Sequence, residues 1–141
     1  MKYLLEVFLK YFDFLYLDPQ YSITRSSTSG SPLTGAQLII TGNKLSWSVT
    51  NDRGQISLAA APTAAIAPEN WFRLSIIRRY LDGTVAAGGT ISAEDLDWLK
   101  ANMAEVEGLF ADAAKTQRSC EELINLENMV ADELFGPPKS P

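Results

Sequence analysis

The sequence predicts an α+β domain: an antiparallel β-meander of about four strands, one helix before it and two to three after it. Three observations predict this class. Residues 44–50 alternate strictly, with Leu45, Trp47 and Val49 on one face and Ser46, Ser48 and Thr50 on the other, the period of a strand with one wet face. Turn signals flank that strand on both sides, Gly42-Asn43 before it and Asn51-Asp52-Arg53-Gly54 after it. From Ser92 onward, apolar residues recur every three or four positions, with Gly108 the one glycine before Gly136 and no proline before Pro137.

Taken in order, residues 2–17 form the first helix, with Leu4, Leu5, Phe8, Tyr11, Phe12 and Leu15 at helical spacing. Glu6, Lys10 and Asp13 interrupt this run, so it suits neither a signal-peptide core nor a membrane span, and burial against a sheet is the expectation. Asp18-Pro19 ends it, because the residue before a proline avoids the α region. Tyr21, Ile23 and Arg25 then alternate with Ser22, Thr24 and Ser26 as a first strand. A Ser/Thr/Gly/Pro-rich loop over residues 26–35 leads to a short apolar strand over 36–41. The strand over 44–50 follows, and residues 55–61 return as the last strand, so the meander occupies residues 21–61.

An alanine- and proline-rich linker crosses to a helix over 70–82. Asn70 is the expected cap and Trp71 opens the helix, while Gly83 ends it. Trp71, Leu74, Ile77 and Leu81 make its apolar stripe, which leaves Arg73, Arg78 and Arg79 outward or at the rim. Residues 85–90, with Gly88-Gly89, read as a flexible connection. Ser92 to Asp95 has the form of a capping box that opens an acidic helical region over 92–136. Its apolar register changes from Leu96, Leu99, Met103, Val106 and Phe110 to Leu123, Leu126, Val130 and Leu134. Two helices with a turn near residues 115–119 account for that change. A single helix there would be about 60 Å long and would need a partner chain to cover it. Residues 1–136 thus form one domain, with 137–141 a disordered tail.

Composition restricts function. The chain has no histidine and one cysteine, Cys120, which removes Ser-His-Asp and Cys-His mechanisms and ordinary zinc sites. A single thiol cannot form an internal disulfide, which points to a reducing cytoplasm, and Cys120 is expected as a small buried residue. The net charge of −5 disfavours free nucleic acid as a partner. That charge is uneven: residues 1–91 carry eight basic and six acidic side chains, and residues 92–141 carry four basic and eleven acidic. The carboxylate pairs Glu94/Asp97, Glu105/Asp112 and Glu121/Glu122 lie on polar helix faces, where solvation is the default, and Gly88-Gly89 lacks the pattern of a phosphate loop. No catalytic residue, metal ligand or cofactor is therefore assigned.

Two surfaces remain. Glu94, Asp95, Asp97, Trp98 and Glu105 form an acidic patch with an aromatic anchor, suited to a basic protein partner. Asp52 and Arg53, in the second turn, offer an alternative anion anchor for a small ligand, Arg53 gripping a carboxylate or phosphate. Arg73, Arg78 and Arg79 suit salt bridges to the acidic C-terminal helices better than a nucleic-acid site. The stretch from Tyr21-Ser22-Ile23-Thr24 through Leu45-Ser46-Trp47 and Asn51-Asp52-Arg53-Gly54-Gln55 to Trp71-Phe72 resembles small bacterial immunity proteins of the polymorphic-toxin type. The resemblance implies a cytoplasmic, non-enzymatic protein that neutralises a toxin domain by binding it. A ligand sensor or enzyme using Arg53, and an oligomeric scaffold subunit, are the competing readings.

Overall fold

A computed structural model describes residues 1–28, 35–85 and 90–136. The α+β class holds, with one more strand than expected. Five strands form an antiparallel sheet in sequential order: β1 (Ser22–Thr28), β2 (Ala36–Thr41), β3 (Leu45–Asp52), β4 (Gln55–Pro62) and β5 (Phe72–Arg73). Around it are α1 (Lys2–Tyr11), α2 (Asp13–Tyr16), α3 (Leu74–Asp82), α4 (Ala93–Gly108) and α5 (Ala113–Phe135). Among the described residues no helix is long and apolar enough to cross a membrane.

The first helix breaks at Phe12 (φ −115°, ψ 24°), yet its apolar stripe runs through the break: Leu4, Phe8, Phe12 and Leu15 are all buried. Phe8 and Phe12 stack with ring centroids 6.2 Å apart. Leu5 and Tyr11, counted in the stripe from spacing, stay largely exposed. The core joins these residues to Leu38, Ile40, Leu45, Trp47, Val49, Leu58 and Phe72 of the sheet, to Ile77, Leu99, Val106 and Leu123 of the later helices, and to Phe110 between the last two.

The second turn is tighter than the four-residue signal implied. Asp52 pairs with Gln55, so the loop is Arg53-Gly54 alone, and both residues have left-handed backbone (φ 54° and 85°). Asn51 Oδ1 accepts from Gly54 N at 3.0 Å and closes it. In the first turn, the ring of Tyr21 lies so close over Gly42 that a Cβ there would stand 2.3 Å from Cε1. The face of β3 expected to be wet is dry at two positions. Ser46 Oγ lies 3.0 Å from Thr63 Oγ1, and the Gln37 amide donates to Ser48 Oγ at 2.8 Å, so both serines are buried. β1 runs on to Thr28, into the expected loop; a bulge between Ile23 and Arg25 breaks its alternation, and all seven of its residues are exposed. Residues 29–34 of that loop, the glycine pair of the 85–90 connection and the 137–141 tail lie outside the described residues.

The helix expected over 70–82 begins four residues later. Asn70 does not cap it: the Asn70 amide donates to Ala65 O at 2.8 Å inside a pair of 3₁₀ turns, Thr63–Ala65 and Pro68–Asn70. Trp71 is extended, and Phe72 pairs with Ala60 as the fifth strand and is fully buried. The sheet edge thereby gains backbone partners and the Phe72 ring a place in the core, which outweighs the helical spacing. Gly83 closes α3 in the left-handed conformation, as expected (φ 79°).

The last region is two helices, but the break is at residues 109–112 rather than 115–119. Leu109 and Phe110 are buried in the turn, and Asp112 caps α5 by accepting from Lys115 N at 2.8 Å. The apolar register shifts only after the new helix has started, so it marks the break late.

Candidate functional site

The acidic patch assembles around a cation that the spacing had placed at the rim. Arg78 is 9% exposed, in the interval between α3 and α4. Its Nη1 donates to Asp95 Oδ1 at 3.0 Å and its Nη2 to Glu94 Oε1 at 2.9 Å. Its Nε has no hydrogen bond and stands 4.0 Å from Asp82 Oδ2. The guanidinium lies 5.7 Å from the ring centroid of Trp98, whose indole N–H donates to Asp82 Oδ2 at 2.8 Å. Glu94 above all, then Asp95, holds the guanidinium protonated above its ordinary range, against the cost of burial. Asp82 is held below the usual carboxylate range by the hydroxyl and amide of Thr84, with Trp98 and Arg78 adding to it.

Asp95 has a second duty. It accepts from Ser92 N at 3.0 Å while Ser92 Oγ accepts from Asp95 N at 3.1 Å, the reciprocal capping box expected from the sequence. The same carboxylate therefore starts α4 and fastens it to α3. Arg79 makes the companion contact to α5, bidentate to Glu133 with both bonds at 3.0 Å, and Tyr80 donates to Glu122. The expected pairing of this arginine cluster with the acidic helices is thus present for Arg78 and Arg79.

Of the five patch residues, the structure brings Glu94, Asp95 and Trp98 together as one clamp. Asp97 and Glu105 stand apart from it. They occupy exposed positions on either side of a kink in α4 at Asn102 (φ −121°, ψ 17°), with exposed Ala101 between them. Lys100, the sole cation of α4, lies 5.6 Å from the Phe14 ring centroid and forms no ion pair with either carboxylate.

The alternative anchor is far less built. Arg53 and Asp52 sit at the tip of the β3–β4 hairpin with side chains 81% and 72% exposed, 3.9 Å apart. Gly54, next in sequence, borders a recess of about 340 Å³ shared with Tyr3, Val7 and Leu96, but neither Asp52 nor Arg53 lines it. A larger groove of about 600 Å³ runs between the 3₁₀ segment and α5, where Thr116, Cys120 and Ile124 form one wall. Cys120 is buried as expected, and desolvation raises its thiol pKa, which makes it a poor nucleophile.

One network escaped the sequence reading. Tyr21 is 5% exposed, and its hydroxyl donates to Glu107 Oε1 at 2.8 Å, where the Gln20 amide also donates at 3.2 Å. Burial first, then the Glu107 hydrogen bond, pushes the phenol well above its ordinary value. The partners are 86 residues apart in the chain, and no local pattern could have paired them. Compared with known protein families, curated proteins and solved structures, the chain matches none.

Proposed function

We propose that this chain is a non-catalytic binding protein that presents the solvent face of α4 to a basic protein partner. In the manner of the immunity proteins it resembles, it neutralises a toxin domain in the cytoplasm by covering it. The observation that carries the reading is the division of charge around α4. Arg78 and Arg79 are engaged with other carboxylates, so among the described residues Asp97 and Glu105 project from the helix without a paired cation. Ala101 and Ala104 between them are small and exposed, so no bulky side chain screens the two carboxylates. Such an arrangement accelerates encounter with a basic patch and selects for it.

The geometry also fixes how to test it. Reversing Glu94 would disrupt the Arg78 clamp and confuse binding with folding, so the informative variant is Asp97→Lys with Glu105→Lys. Wild type and variant, immobilised, are exposed to native host lysate and eluted along a salt gradient. A stoichiometric basic partner retained by the wild type, released by salt and absent from the variant supports the reading. A partner held equally by both, or none on either, overturns it.

A further inference from the structure

β1 stands at the open edge of the sheet, at the opposite end from the strand that leads into α3. It pairs with β2 alone, all seven of its residues are exposed, and among the described residues nothing covers its outer row of N–H and C=O groups. Proteins blunt such edges with charged side chains, prolines, bulges or short strands. Here the strand is long, free of proline, and carries one charge, Arg25. The bulge disturbs only Ile23 to Arg25, while Ser26, Ser27 and Thr28 keep regular register with Leu38, Gln37 and Ala36.

A second observation meets the edge at Ile23. A recess of about 410 Å³ opens beside it, lined by Leu15, Tyr16, Leu17 and Ile40 among others. Leu17 is 72% exposed, Tyr16 56% and Ile23 41%, a cluster of large apolar groups facing water.

We propose that β1 is a strand-addition site, which takes an extended segment of another protein carrying a carboxylate opposite Arg25 and an apolar side chain for the recess at Ile23. Backbone pairing supplies the affinity in such complexes and the side chains the choice of partner. A second copy of this chain fits worse. Arg25 is the middle residue of β1, so two β1 strands paired about a two-fold axis in full overlap set Arg25 against Arg25, and like charges directly opposite destabilise a ladder. A carboxylate in that place turns the same geometry attractive. This site is separate from the α4 surface and stands or falls independently of it.

The test uses the full chain and a labelled, end-blocked peptide, Thr-Val-Thr-Glu-Thr-Val-Thr, followed by fluorescence anisotropy. Two controls accompany it: the same peptide with lysine for glutamate, and one with alternate amides N-methylated. The glutamate peptide should bind about tenfold more tightly than the lysine peptide, and Arg25→Glu, at an exposed position, should reverse that order. N-methylation should abolish binding, and Leu17→Ser should weaken the glutamate peptide severalfold. Unchanged binding of the N-methylated peptide, indifference to Arg25→Glu, or no binding at millimolar concentration would overturn the proposal. So would sedimentation showing a dimer with β1 amides protected from exchange, which would assign the edge to a second copy.

Discussion

Replacing Arg78 with methionine asks how much the clamp between α3 and α4 contributes. Methionine keeps most of the stem's volume and deletes the charge. Breaking a buried ion pair costs about 3–5 kcal/mol, because the remaining charge is stranded away from water. Only one partner is stranded here. The Asp95 side chain is 16% exposed, while that of Glu94 is 77% exposed and can turn to solvent. Asp95 also keeps its Ser92 bonds. The expected loss is therefore about 2–3 kcal/mol, at or just below the lower end of that range. A double-mutant cycle divides it: the coupling of Arg78 to Asp95 (as Asp95→Asn) should be about 1.5–2.5 kcal/mol, and that to Glu94 (as Glu94→Gln) below about 1 kcal/mol. The capping contribution of Asp95 cancels, since it is lost in both arms of the cycle. Urea unfolding followed by circular dichroism provides the six stabilities that the two cycles need. Added salt should erode the Glu94 coupling and spare the Asp95 coupling. A Glu94 coupling equal to or larger than that of Asp95, or a loss below about 1 kcal/mol for Arg78→Met, would refute the claim that Arg78 and Asp95 form a desolvated pair.

Gly42→Ala should destabilise by about 1–3 kcal/mol through overpacking against the Tyr21 ring, and the loss should shrink in a Tyr21→Leu background; equal losses in both backgrounds, measured by urea unfolding, would remove the ring as the cause. Arg53→Asn should raise stability by about 0.5–1 kcal/mol, since asparagine tolerates the left-handed backbone of that turn better; a lower thermal midpoint would contradict this. Burial raises the Glu127 carboxyl pKa, with Arg73 opposing, so its contribution to stability is complete below the ordinary value of 4.5 and lost as pH rises through the folded value. Glu127→Gln should accordingly be more stable than wild type at pH 7, with the gap closing on acidification; a gap independent of pH would show that the charge is not the cause.

The fold was legible where a pattern is local. The β3 strand, the two turns, the Gly83 stop and the Ser92–Asp95 box each involve neighbours within a few residues, and each appears in the structure, although burial of Ser46 and Ser48 removes the wet face that the β3 alternation implied. Elements decided by distant contacts were not. Phe72 left its helical spacing because Ala60 offered a strand to pair with. The turn before α5 is marked by its Asp112 cap, a weaker signal than the later register shift. The candidate site divides in the same way. That Glu94, Asp95 and Trp98 are neighbours followed from their spacing on one helix, but the buried Arg78 that binds them arrives from another. Periodicity put Arg78 outside the apolar stripe, and no sequence pattern distinguishes an arginine facing water from one facing two carboxylates. Arg53, conspicuous in a dense polar cluster, is a turn residue at a hairpin tip.

The sequential order of the sheet has a consequence for how the chain acquires its structure as it is synthesised. β2, β3 and β4 are joined by short turns, so their pairing needs only short loop closures and forms early. The core that holds Trp47 and Leu58 also takes in Leu99, Val106, Phe110 and Leu123, which emerge last. A nascent meander with α1 alone therefore shows an apolar surface for as long as the acidic helices take to be made, and in that interval the exposed β1 edge is a second adhesive feature. For a ribosome or a chaperone, α4 and α5 are the lid that ends the sticky stage.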